Sequence, residues 1–131
     1  MLFESLDFLY IPASDMEESV KYYTKVLGGE VLWKIHEFGV LVACVKLCKE
    51  EPFILLADHI GRKDLMLIYR VQDLEKTATE LGLRGWKKEK DLEIPPGPCF
   101  TFRDPADNYI AIYENQRPNV MKEFMGRIDN K

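Results

Sequence analysis

Histidine is nearly absent from this 131-residue chain, with only His36 and His59 present. Cysteine is scarce too: Cys44, Cys48 and Cys99 form no CxxC pair and cannot all bridge. They read as reduced thiols of a cytosolic protein, with Cys44 and Cys99 acting as small buried hydrophobes inside strand-like runs. Long apolar runs are missing as well. Val40 to Val45 and Phe53 to Ala57 fall far short of the roughly 20 residues of a membrane span, and no signal peptide is read, so a cytoplasmic protein with no membrane partner is expected. An excess of basic charge is also lacking. The net charge is −4, and Lys87, Lys88 and Lys90 are interrupted by Glu89 and Asp91, so no nucleic-acid partner is expected.

What is present is apolar side chain, 47% of the residues, enough to exclude disorder and to build a core without metal or disulfide staples. It is arranged as a repeat. The first copy has a strand-length run, Leu6 to Ile11, and then Asp15, whose carboxylate can accept the free N–H groups of a helix start. Met16, Val20, Tyr23 and Leu27 fall on one helical face, and Gly28 can supply a left-handed stop. The second copy has the run Leu65 to Val71, the cap Asp73, the stripe Leu74, Ala78 and Leu81, and the stop Gly82. Three β-type runs follow each helix. They are Glu30 to Ile35 (with Val31, Trp33 and Ile35 alternating against Leu32 and Lys34), Val40 to Leu47 and Phe53 to Ala57, and then a run around Leu83 to Lys88, Cys99 to Phe102 and Tyr109 to Glu114.

The landmarks Asp15/Asp73 and Asp58/Glu114 recur in order at offsets of 58 and 56 residues, which argues for duplication. The spacing therefore predicts an α+β chain of two tandem βαβββ modules, at about 5–58 and 65–115, joined by a linker at 59–64 within one domain, 1–117. The prolines of Asp91 to Pro98 predict a loop there, of the kind that often edges a binding site. The tail 118–131 carries Val120, Met121, Phe124 and Ile128 at helical spacing, a short helix packing on the domain or on a partner subunit.

Ile11-Pro12-Ala13-Ser14-Asp15, the helix carrying Tyr22-Tyr23, and Leu27-Gly28 together resemble the opening of vicinal oxygen chelate proteins. That superfamily includes glyoxalase I, extradiol dioxygenases, methylmalonyl-CoA epimerase, and the fosfomycin- and bleomycin-resistance proteins. Phe102 to Glu114 resembles its closing DPxGN hairpin, with Asp107 where Gly is usual. The resemblance covers about residues 5 to 115 and implies curved mixed sheets around a cup-shaped cleft. In metal-dependent members, up to four inward strand positions carry His, Glu or Gln. By resemblance these fall on Phe8, Leu55, Met66 and Ala111, none of which suits a hard or borderline divalent ion.

With no cofactor expected, the resemblance points to a metal-independent small-molecule-binding protein of the bleomycin-resistance type, holding an apolar or aromatic ligand, as a homodimer. The cup would be lined by Phe8, Tyr10, Trp33, Met66, Ile68, Ala111 and Tyr113, with Trp86, Phe100 and Phe102 as further candidates. Tyrosine hydroxyls and Arg70 would be the polar handles. Ordinary core filling is the alternative for the aromatics. An enzyme of the glyoxalase, isomerase or dioxygenase kind, with a relocated metal or with acid–base chemistry from Asp58, His59 or Glu114, is the other function class.

Overall fold

Asp15 and Asp73 each open a helix by the same device. Asp15 Oδ1 accepts the Glu18 N–H at 3.1 Å, and Asp73 Oδ1 accepts the Lys76 N–H at 3.0 Å. Around these caps a computed structural model, describing residues 1–37, 39–58 and 64–129, has β1 (Phe3–Pro12), α1 (Met16–Lys21), a π-helical turn (Tyr22–Val26), β2 (Glu30–Glu37), β3 (Val40–Lys46) and β4 (Phe53–Ala57). There follow β5 (Met66–Val71), α2 (Leu74–Gly82), β6 (Lys90–Ile94), β7 (Gly97–Arg103), β8 (Tyr109–Glu114) and α3 (Val120–Phe124). The element order is βαβββ twice, and the class is α+β. Most of the expected linker, including His59, lies outside the described residues. No helix among the described residues is long and apolar enough to cross a membrane.

The chain divides into two compact units: Phe8–Leu65 with Lys122–Lys131, and Met1–Asp7 with Met66–Met121. In the first, the strands run β2-β3-β4-β1. The row Leu9, Ile54, Val45 and the row Ile11, Leu56, Ala43 pack against Met16, Val20 and Tyr23 of the helical segment. The other face carries the row Tyr10, Leu55, Cys44, Trp33. In the second unit the order is β5-β8-β7-β6. Phe100, Ile112 and Val71 face Leu74, Ala78 and Leu81 of α2, while Ile68, Ala111 and Thr101 share the opposite face. Phe8 pairs with Phe53 and Met66 with Tyr109, so the sequence offsets of 58 and 56 are also register equivalences.

Five expectations are corrected. Leu27 leaves the apolar stripe and is 47% exposed, because after Lys21 the helix widens. Its N–H reaches Tyr22 O, five residues back, at 3.0 Å, and the 3.6-residue period is lost. Gly28 is the left-handed stop of the first helix at φ 79°, but Gly82 stays helical and Gly85 takes φ 94° instead. Val31 does not share a face with Trp33, since a β-bulge inserts Leu32 between them. The run 83–88 is turn and irregular chain. The strand falls instead on Lys90–Ile94, inside the expected loop, and pairs with β7 as a hairpin. Pro95 and Pro96 form its two-residue turn, and Pro98 precedes the first β7–β8 pair at Cys99, so the ladder tolerates all three prolines. Finally, Ile128 is not helical. It bridges to Lys34 in parallel beyond the short α3.

Candidate functional site

In the first unit the face opposite α1 is aromatic and closed to solvent. Phe8 and Tyr10 on β1 are about 5% exposed or less, and Trp33 and Leu55 are 0% exposed. The Trp33 and Phe124 rings meet edge to face, centroids 5.4 Å apart and planes at 70°. Its indole Nε1–H is buried with no hydrogen-bond partner among the described residues, a state that costs about 1–3 kcal/mol. Cys44 sits in the same row, where burial pushes its thiol up to about 12, so it stays protonated and is no nucleophile.

The second unit carries a polar cluster that joins two of the expected polar handles, Tyr113 and Arg70, to Asp7, which the sequence patterning did not single out. Asp7 is 7% exposed. It accepts the Tyr113 hydroxyl at 2.5 Å on one oxygen and the Ser5 hydroxyl at 2.6 Å on the other. Arg70 Nη1 stands 3.9 Å from Asp7, and Arg70 Nε lies 3.3 Å from Glu4. Burial, then the hydrogen bond and charge of Asp7, raise the Tyr113 phenol well above its ordinary range. Tyr113 is therefore a fixed donor rather than a base. The signal for this cluster was available: Asp7 is an isolated charge inside the apolar run Leu6 to Ile11.

The ten residues expected to line the cup are placed unit by unit. Phe8, Tyr10 and Trp33 share the face of the first unit described above, and Met66, Ile68, Ala111 and Tyr113 are buried on one face of the second. Trp86 and Phe102 are on the other side of that second sheet. Their rings meet edge to face at 5.6 Å within the α2 cluster, because residue 102 alternates in parity with Thr101 and so points toward α2. Phe100 belongs with them. A groove of about 540 Å³ in this unit is lined by Met1, Leu2, Phe3, Glu80, Leu81 and Arg84, none of them an expected ligand contact.

Phe8, Leu55, Met66 and Ala111 are all buried and offer three hydrocarbon side chains and a thioether, a donor set that does not fit a divalent metal centre. Among the described residues no three His, Cys, Asp or Glu side chains gather as metal ligands. The acid–base candidates have structural partners. Asp58 Oδ1 accepts the Leu41 N–H at 2.9 Å, and Glu114 Oε1 accepts the Leu74 N–H at 2.8 Å, closing the start of α2.

No curated protein matches the sequence. Among solved structures, methylmalonyl-CoA epimerase from Mycobacterium tuberculosis is similar at 19% identity and TM-score 0.71, over 89% of this chain and 91% of that one. A single-residue variant of the Streptomyces coelicolor epimerase, in complex with 2-nitronate-propionyl-CoA, gives 15% and 0.69 over 88% and 96%. A catechol 2,3-dioxygenase gives 17% and 0.63 over 88% of this chain but 42% of its own length. At such identities the likeness is one of fold. The family model of the Glyoxalase/Bleomycin resistance protein/Dioxygenase superfamily matches residues 5–112, and with the two βαβββ modules in equivalent register the chain belongs to that superfamily.

Proposed function

We propose that this chain is a metal-independent small-molecule-binding protein of the glyoxalase/bleomycin-resistance type, holding an apolar or aromatic ligand and acting as a cytoplasmic homodimer. One observation carries the reading. The four positions that the resemblance assigns to metal ligands hold Phe8, Leu55, Met66 and Ala111, while Phe8 and Tyr10 on β1, Tyr113 on β8 and Trp33 on β2 supply buried aromatic rings. Without a Lewis acid, the groups left for recognition are aromatic rings and a buried indole N–H in the first unit and, separately, the Asp7–Tyr113–Arg70 cluster in the second. Asp58 and Glu114, each engaged with a backbone N–H, do not favour the acid–base enzyme.

The test begins with plasma mass spectrometry of the untagged protein and thermal-shift titration with Ni²⁺, Zn²⁺, Mn²⁺ and Fe²⁺. Aromatic ligands are then titrated while tryptophan emission is followed. Absence of stoichiometric metal together with saturable quenching is the expected result. A stoichiometric metal, or strong stabilisation by one ion, overturns it. Light scattering after size exclusion reads the dimer.

A further inference from the structure

The segment after Met121 packs with the first unit. Gly126, in the left-handed region at φ 82°, turns it back along β2. Gly126 N–H donates to Leu32 O, Lys34 N–H to Arg127 O, and Asp129 N–H to Lys34 O, each at 2.8 Å, and His36 N–H donates to Asp129 Oδ2 at 3.0 Å. Leu32 is the bulged residue, so its carbonyl is free of the β3 ladder and available to the tail. The Arg127 guanidinium lies 5.4 Å over the Phe124 ring and is forked onto both oxygens of Asp129. The result sets an aromatic side chain against Trp33, the fully buried residue whose Nε1–H has no partner among the described residues.

The attachment is of a releasable kind. Met125 and Ile128 are each 55% exposed, so the segment buries little apolar surface of its own beyond Phe124. The α3 helix has five residues, too few to hold itself together. Its backbone bonds are made to an edge strand, where water can replace each of them.

We propose that Phe124 is a built-in occupant of an aromatic subsite on Trp33. The subsite takes a planar aromatic ligand bearing a hydrogen-bond acceptor for Trp33 Nε1–H, and binding displaces the strap formed by residues 124–129. This rests on the reading of the chain as a small-molecule binder and adds where the ligand ring sits and what it competes with.

The experiment uses the full chain with Trp86→Phe, which leaves Trp33 as the sole tryptophan of the two, and compares it with the same chain carrying Phe124→Ala. A second variant ending at Met121 guards against an uninformative point change. Acrylamide quenching of Trp33 is expected to rise roughly three- to tenfold in either variant while near-ultraviolet dichroism keeps a folded signature. The probe 8-anilinonaphthalene-1-sulfonate is expected to bind the variants about tenfold more tightly, with energy transfer from Trp33. Trp33→Phe in the Phe124→Ala chain should abolish that gain. Unchanged quenching in both variants overturns the strap, whatever the protein binds. Raised quenching with dye affinity indifferent to Trp33 overturns the subsite and leaves the tail an edge cover. If aromatic ligands bind the chains with Phe124 and with Phe124→Ala equally well, the strap fails while the binding function stands. If Trp33 opens and no aromatic probe binds any form, both fail.

Discussion

Replacing Tyr113 by Phe removes one hydroxyl from the interior of the second unit and leaves the ring in place. That hydroxyl donates to Asp7 Oδ2 at 2.5 Å, and a hydrogen bond to a charged group contributes about 1.5–3 kcal/mol. Two partners stay with Asp7. Ser5 already serves the other oxygen at 2.6 Å. Arg70, at 3.9 Å and with its side chain 40% exposed, is screened by solvent and adds little. Neither can replace the lost donor, so Tyr113→Phe should cost about 2 kcal/mol. In urea, with a slope of about 2 kcal/mol per molar, the midpoint should fall by about 1 M.

Far-ultraviolet dichroism at neutral pH reads that midpoint, and a double-mutant cycle with Asp7→Asn isolates the pair, for which a coupling of about 1.5–3 kcal/mol is expected. There is also an alkaline signature. Burial and Asp7 raise the Tyr113 pKa above its ordinary value of 10.0, so at high pH the folded chain holds a proton that the unfolded chain releases. The stabilising contribution is complete below that value and is lost as pH rises toward the folded one, so wild type and Tyr113→Phe should converge. A coupling below about 0.5 kcal/mol, the usual error of additivity, would refute the assignment of Asp7 and Tyr113 as an energetic pair.

Gly97→Ala should be among the most damaging single-methyl changes. Its Cβ would stand 1.9 Å from Glu114 O, on a strand end already fixed by the Leu74 cap, and about 3 kcal/mol or more is expected in the same urea assay. Asp107→Gly should stabilise by about 0.5–1 kcal/mol, because Asp107 takes φ 68° in the turn between β7 and β8; a rise in thermal midpoint checks it. Cys44, raised by burial from 9.0 to about 12, should cost about 1.4 kcal/mol of stability per pH unit as pH climbs through that window. Cys44→Ala should flatten the alkaline limb in thermal unfolding from about pH 9 to 12.

The fold was legible because its signals are local. Asp15 and Asp73 announce helix starts through a contact three residues long, and apolar alternation needs only a strand's length to be read. The boundaries slipped where a local rule has two outcomes. A proline cluster reads as loop whether it interrupts a strand or forms the turn of a hairpin, and only the pairing of Glu93 with Pro98 decides. A helical stripe carries no mark of where an i→i+5 step begins, so its period alone puts Leu27 inside, and composition alone does not tell Gly82 from Gly85 as the left-handed stop.

The candidate site is legible in the sequence mostly through what four side chains lack. Phe8, Leu55, Met66 and Ala111 could be read as non-ligands from side-chain chemistry alone, because a hydrocarbon has no donor in any conformation. Positive features needed the structure. Trp86 and Phe102 look, in sequence, like any other aromatics near strands, but parity within β7 sends Phe102 toward α2, where Trp86 joins it. Asp7 and Tyr113 lie 106 residues apart, so no spacing could join them. Their separation explains why they matter to the fold: the bond ties the first strand of the chain to the last, a closure whose entropy must be offset by a strong contact. Trp33 and the tail beyond Met121 are likewise remote in sequence and adjacent in space. In both units, then, the features most open to functional change are long-range contacts laid onto a locally encoded scaffold. Substitutions at Phe124 or Tyr113 should accordingly alter binding or stability while leaving the βαβββ pattern of far-ultraviolet dichroism intact.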